Sequence, residues 1–327
     1  MEFLDFDLSE VMMSSPLTWG VMGFVLLIIV ELVYSLKYDA ELYQWKDFAA
    51  SASMGAGAVV LAIFTKAGSL AAYFAVYFWF NPEVEGVRTN IFGWGAFGFA
   101  WYVWIICQFL DDFNYYWYHR LSHTIRVLWA AHIVHHSSDN YNLGTGIRNG
   151  WVTLFYKPMF YMWLPAIGFH PLMVATCLAI ESLWQFQLHT KYVPRLGFFE
   201  KFMNSHRQHH VHHSSNIEYL DMNHGGYLNM FDKMFGTWKD LDESKEIQFG
   251  VLHPPNSHNP LVILTHEYKD IWNDVRKSKN LKEAFMYTFG PPGWTPDASF
   301  KTVRQMQQEL EEQKKATAKE EPAAVTV

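Results

Sequence analysis

Three histidine blocks set between apolar runs constrain this chain more than any other feature. They read HRLSH over 119–123, HIVHH over 132–136 and HRQHHVHH over 206–213. Helical side chains three and four apart share a face, so His119 with His123, and His132 with His135 and His136, each form an imidazole face. The third block allows two overlapping registers. One uses His206, His209 and His210; the other uses His209, His212 and His213. Imidazole is the commonest side-chain ligand for mid-row transition metals, and this set exceeds what one tetrahedral zinc can use. Two ions sharing the faces account for it better, and a fold that uses all three blocks has to bring distant segments together.

Composition says where such a site sits. Half of the 327 residues are hydrophobic and 17% are aromatic, yet the mean hydropathy is only -0.05. Apolar blocks therefore alternate with charged ones, as in a membrane protein with a polar cap. A net charge of -7 without basic patches excludes a nucleic-acid binder. Cys107 and Cys177 are the only cysteines, and they form neither a CxxC metal site nor an iron-sulfur set. Residues 1–15 carry acids but no Lys or Arg, so no basic secretory start is expected there.

The run from Pro16 to Leu36, apolar except for Glu31, is long enough to cross a bilayer as a helix. Lys37 and Lys46 follow it, which places its second end in the cytoplasm by the positive-inside rule. Phe48 to Thr65 is expected to span next, with Ala67 to Phe80 interfacial or re-entrant. Ile91 to Leu110 is expected as a third span running straight into the first histidine block. Asp112 lies seven residues before His119, on nearly the same stripe, where a carboxylate could orient a ring. Ser137 to Gly150 reads as a loop, and Trp151 to Ile167 with Leu172 to Gln187 as an apolar hairpin. Glu181 inside that hairpin is expected to face the bundle interior or a substrate cavity. Leu261 to Lys277 and Leu281 to Tyr287 read as short cap helices, followed by a charged, partly disordered tail. The fold class expected is an all-α integral membrane protein, a transmembrane bundle under a cytoplasmic helical cap. Its divisions are 1–90 (membrane region), 91–240 (histidine boxes), 241–300 (cap) and 301–327 (tail).

These blocks resemble the HxxxH, HxxHH and HxxHH boxes of the fatty acid hydroxylase, or sterol desaturase, superfamily of membrane di-iron enzymes. HHSSDNYNLGTGIR, FQLHTKYVPRLGFFE and HHSSNIEYLDMNHGGYLNMFDKMFGTW are similar to its alkylglycerol monooxygenase-like branch, a resemblance covering about Asp112 to Trp238. It implies metal ligation by His119, His123, His132, His135, His136, His189, His209, His212 and His213. Asp112, Asn142, Asp221, Asn223 and Asp232 fall on polar positions of the same pattern, where they could support the rings. The third block departs from the branch, with His206 and His210 at positions usually Pro and Arg, and His224 replaces a more usual tyrosine. The spacing to Asn216 and Asp221 favours the later register, with His206 or His210 open as ligands. His170, His253, His258 and His266 read as structural or surface residues.

The resemblance implies two iron ions, O2 as co-substrate and hydroxylation of an aliphatic C-H bond in a lipid drawn from the bilayer. Substrates of the implied kind are a fatty acyl chain, an ether lipid or a sterol. No flavin, nicotinamide or iron-sulfur motif is present, so electrons come from an external donor, a reductase with a ferredoxin or a b-type cytochrome. Desaturation on the same centre is the nearest alternative; a membrane zinc hydrolase or transporter is the reading from another class.

Overall fold

The computed structural model describes residues 16–38 and 41–320, and it is mostly helical. Expectations about residues 1–15 and the end of the tail, 321–327, lie outside the described residues. Helix α1 (Pro16–Tyr38) and helix α2 (Trp45–Phe80) are both long and apolar enough to cross a membrane, and both bury few of their side chains. The expected division of α2 at residue 66 is corrected: Trp45–Phe80 is one helix of 36 residues. Lys66 and Gly68 lower the local hydropathy but neither breaks a helix, and no proline intervenes before Pro82. At 1.5 Å per residue it is about 54 Å long, well beyond a hydrocarbon core of about 30 Å.

The third expected span is also corrected. Residues 81–100 form a two-stranded hairpin, β1 (Glu83–Val84) with β2 (Val87–Arg88), and then an irregular segment. Gly93, Gly95 and Gly98 interrupt the apolar run, and Gly93 takes a left-handed backbone (φ 77°) that disfavours a continuous helix. Only at Trp101 does α3 (Trp101–Thr124) begin. Ile125, in an extended conformation, turns it into α4 (Arg126–His136).

The loop after α4 carries α5 (Leu143–Gly146). The first limb of the expected hairpin is not one helix. Pro158 and Pro165 divide it into α6 (Thr153–Tyr156), a 3-10 turn (Lys157–Tyr161) and α7 (Trp163–Ala166). The second limb is regular, α8 (Pro171–Gln187). Tyr73, Val103, Cys107, Tyr161, Leu164, Met173 and Cys177 form one core where α2, α3, the broken limb and α8 meet. Glu181 is fully buried there, with Gln185 donating to it at 3.1 Å.

A 3-10 turn (Gly197–Lys201) leads to α9 (His206–His212), a further turn (Ile217–Tyr219), α10 (Met230–Phe235) and the cap helices α11 (Pro260–Lys277) and α12 (Leu281–Phe289). The tail is helical as α13 (Val303–Glu320), tied down by Gln307 donating to the Ile217 and Leu220 carbonyls. Three buried polar knots tie the apolar helices and the histidine-bearing helix α4 to other parts of the chain. Glu31 accepts from Tyr43, Thr190 and the Leu143 backbone, at 2.5 to 2.7 Å. Arg126 pairs with Glu267 and Asp274 on α11. Arg148, 1% exposed, pairs with Asp47 at the start of α2.

Removing one partner of a buried ion pair leaves the other uncompensated, at a cost of about 3 to 5 kcal/mol. Arg148→Ala is expected to lower the thermal unfolding midpoint of the purified protein clearly, read by intrinsic fluorescence in detergent. Arg195→Ala, at an exposed pair with Glu243, is expected to leave it nearly unchanged.

Candidate metal centre

α3 presents His119 and His123 on successive turns, and the bend at Ile125 lets α4 fold back so that His132, His135 and His136 face them. The end of α8 delivers His189. Helix α9 is only seven residues long, and a capping box between Ser205 and Gln208 fixes its start. His209, His212 and His213 then point inward. His206 and His210 turn away, bonding the carbonyls of Gln187 and Thr190 at 3.0 Å.

The inward rings sort into two nests. His119, His123, His132, His136 and His212 form one; His135, His189, His209 and His213 form the other. Within each nest the facing nitrogens lie within 4.8 Å of one another. None of the nine residues exposes more than 9% of its surface. The nests share a wall, with the rings of His136 and His213 stacked at 4.3 Å.

The outer nitrogens decide what the inner ones are. His119 Nδ1 donates to the His224 carbonyl at 2.9 Å, His135 Nδ1 to the Arg148 carbonyl at 3.0 Å and His212 Nδ1 to the Met222 carbonyl at 2.9 Å. His189 Nδ1 donates to the Gln185 and Phe186 carbonyls, and His123 Nδ1 faces Asp221 at 3.3 Å. A carbonyl only accepts, so each Nδ1 bonded to one carries the proton, which leaves a bare lone pair on Nε2 of a neutral ring. Yet Nε2 of His135 and Nε2 of His189 are 3.1 Å apart. Two lone pairs at that distance repel unless a cation lies between them. A proton is a poor candidate. Burial, reinforced by neighbouring rings, holds the histidines far below their ordinary pKa, His135 near 4 and His212 near 3. A metal ion fits: nitrogens bound at about 2.1 Å sit about 3.0 to 3.4 Å from each other at right or tetrahedral angles. His123 Nε2 and His212 Nε2 are buried without a protein partner and fit the same account.

One loop, residues 221–225, supplies three outer partners of the first nest: the Asp221 carboxylate and the carbonyls of Met222 and His224. Asp221 and Asn223 adopt left-handed backbone (φ 55° and 58°), which turns those carbonyls inward. Asp232 fixes the loop by accepting from the backbones of His224 and Gly225 at 2.7 and 2.8 Å. Asn223 fixes its other end through the Gln208 and Lys239 carbonyls.

Of the five supporting residues expected from sequence, Asp221 faces a ring, whereas Asp232 and Asn223 act through the loop. Two expectations are corrected. Asp112 accepts from the backbones of Tyr227 and Leu228, because seven helical residues set it about 10 Å along the axis from His119. Asn142 caps α5 and donates to the Leu42 carbonyl, without touching a ring. His224 was not assigned a role from sequence. Its buried ring borders the first nest, 5.0 Å from that of His123, and neither of its nitrogens has a hydrogen-bond partner.

Fold and nests define a class, a helical protein with apolar helices beneath a buried, all-histidine centre suited to two metal ions. Within it, residues 104–237 match the fatty acid hydroxylase family model, and the matched span contains all nine inward histidines. The chain is 32% identical over 275 residues to the alkylglycerol monooxygenase of Homo sapiens and 30% identical over 274 residues to that of Xenopus tropicalis. Each alignment covers 84% of this chain and 58% of the relative. The chain thus spans somewhat over half the length of these relatives. The Delta(7)-sterol 5(6)-desaturase erg3C of Aspergillus fumigatus is 25% identical over 189 residues, 49% of this chain and 56% of that protein. No solved structure gives a significant match.

Two measurements check the centre. His189→Ala removes the ring that touches three others in the second nest, so metal content by mass spectrometry is expected to fall from two ions per chain to about one, while His210→Ala keeps two. Outer groups of metal sites contribute about 10- to 100-fold in affinity. Asp232→Ala is expected to weaken retention of one ion by that order in a chelator competition.

Proposed function

We propose that this chain is a membrane monooxygenase that hydroxylates an aliphatic C-H bond of a lipid, with O2 as co-substrate and electrons from an external donor. The observation that carries the reading is the pair of adjoining histidine nests, whose opposed lone pairs call for two cations. Iron is the metal we assign to both. A bound iron pair would supply the reductive activation of O2 that attack on an unactivated C-H bond requires.

The residues of the chain do the rest. The nine rings fix the position of the centre, and carbonyls behind at least four of them lock the tautomer that points Nε2 inward. Burial of every ring keeps water from an oxidising centre. The aromatic wall of Tyr115 and Tyr118 on α3, with the Lys157 ammonium 5.2 Å from each ring, lies on the bundle side of His119. It is where a lipid from the bilayer would approach. The relatives called alkylglycerol monooxygenases favour an ether lipid as substrate: oxygenation of the carbon beside the ether oxygen gives a hemiacetal, which collapses to an aldehyde and an alcohol. The sterol desaturase relative supports desaturation as a second reading, since both reactions begin by abstracting hydrogen. We place the centre on the cytoplasmic side of a multi-pass protein and assign a ferredoxin or b-type cytochrome, with its reductase, as donor.

Lipid mass spectrometry of cells expressing the wild-type chain or His135→Ala tests this. Expected with the wild type alone is loss of an ether lipid with release of a fatty aldehyde. A lipid short of two hydrogens would establish desaturation instead. Identical lipid profiles, with zinc in the protein and no oxygen uptake under reducing conditions, would overturn the oxygenase reading.

A further inference from the structure

We infer that the turn Gly197–Lys201, Phe202 and helix α10 together form a bilayer-docking face that seats the metal-bearing cap on anionic lipid headgroups. Phe198, Phe199, Phe202 and Met234 are exposed by 66, 62, 56 and 64%. Large apolar side chains gathered in this way on a polar cap mark a surface made for an apolar partner.

These residues are held in place. Asn229 donates from its side chain to the Glu200 and Met203 carbonyls at 2.8 and 3.1 Å, and from its backbone to the Phe202 carbonyl at 3.0 Å. Lys233 on α10 donates its ammonium to the Lys201 carbonyl at 2.6 Å. The turn and the helix thus form one platform whose apolar side chains face outward in a fixed arrangement.

Charge and continuity name the occupant. Lys201 and Lys233 stand beside the aromatic rings, their ammonium groups 5.7 Å from the ring of Phe198 and 5.3 Å from that of Trp238. The acid of the turn, Glu200, is drawn inward, accepting from Ser205 and from the Leu196 backbone and lying 3.9 Å from Arg207. An apolar centre with a lysine rim matches acyl chains beneath anionic phosphates. The platform also continues an apolar surface. Phe231 of α10 packs on Phe109 of α3 at 5.5 Å, and Phe109 lies on the same helix as the exposed Trp101, Tyr102, Ile105 and Ile106. The bilayer that covers α3 would meet the platform without a polar gap. Helix α9, with the third histidine block, starts shortly after Phe202, so a lipid reaching the centre from this side need not cross water.

Cys107 and Cys177 are fully buried, which makes an introduced surface cysteine selectively addressable. The full chain, reconstituted in nanodiscs containing anionic phosphatidylglycerol, is labelled with a nitroxide at Phe199→Cys or Met234→Cys. Ile105→Cys is the apolar comparator and Glu312→Cys, on the exposed face of α13, the aqueous one. Power saturation with oxygen and with a water-soluble nickel chelate is expected to give both labels an oxygen preference close to that at position 105. Adding Lys201→Glu and Lys233→Glu is expected to raise nickel access at position 199 at least twofold. Nickel access equal to that at position 312 would overturn the inference, as would low access to both reagents, which marks a protein contact. Indifference to the charge reversal would overturn the headgroup assignment. None of these readings depends on metal or turnover.

Discussion

Opposed lone pairs on buried imidazoles organise this protein. Neutral rings whose bare nitrogens face one another repel unless cations separate them, and no apolar packing compensates for that. For His119, His135, His189 and His212 the orientation is imposed from outside the nests, by carbonyls of Arg148, Gln185, Phe186, Met222 and His224 that fix the protonated nitrogen outward. Three segments distant in sequence must be in place for this: the stretch after α5 that holds Arg148, the end of α8 and the 221–225 loop. The polar knots at Glu31, Arg126 and Arg148 serve that placement. Each joins an apolar helix or a histidine-bearing helix to a part of the cap.

The division between exposed apolar helices and a dense polar cap follows from the same requirement. A centre with the proposed oxygenase function would have to exclude water while admitting a hydrocarbon, and a bilayer edge offers both conditions. Among the described residues, α1 and α2 are the helices both long and apolar enough to span, and they leave their apolar surface outward while their Glu31 and Asp47 side chains turn in to the cap. α3, with 24 residues, is as long as α1 but turns polar in its second half, α8 has only 17 residues, and each leads into a histidine region. Polar groups on the apolar helices are thus spent at the junction with the cap.

How much of this could be read in the sequence depends on whether a feature is local. The histidine spacings are, because helical periodicity alone puts His119 with His123 and His132 with His135 and His136 on shared faces. The register of the third block is not, since both readings have the same spacing; the bonds of His206 and His210 to carbonyls at the end of α8 separate them. Backbone carbonyls carry no residue signature, so the main supports of the rings were invisible, and Asp112 looked like a partner only because stripe position ignores distance along the axis. Hydropathy also misjudged continuity. Lys66 looked like an end where the helix persists, while the glycines after Ile91 and the proline at 158 broke runs that looked continuous.

An all-histidine set has an electrostatic consequence for the residues behind it. Neutral imidazoles cancel none of the charge of two divalent ions, so counter-charge must come from farther out. Asp221, against His123, and Asp232, behind the His224 backbone, are placed to supply it. Burial alone pushes their carboxyls up, Asp221 to about 7 and Asp232 to about 6, into a range where each is easily protonated near neutrality. Cations in the nests would act in the opposite sense and hold both acids ionised. Metal binding and ionisation of these carboxylates therefore reinforce one another. The 221–225 loop, anchored by ionised Asp232, becomes firmest when the first nest is filled.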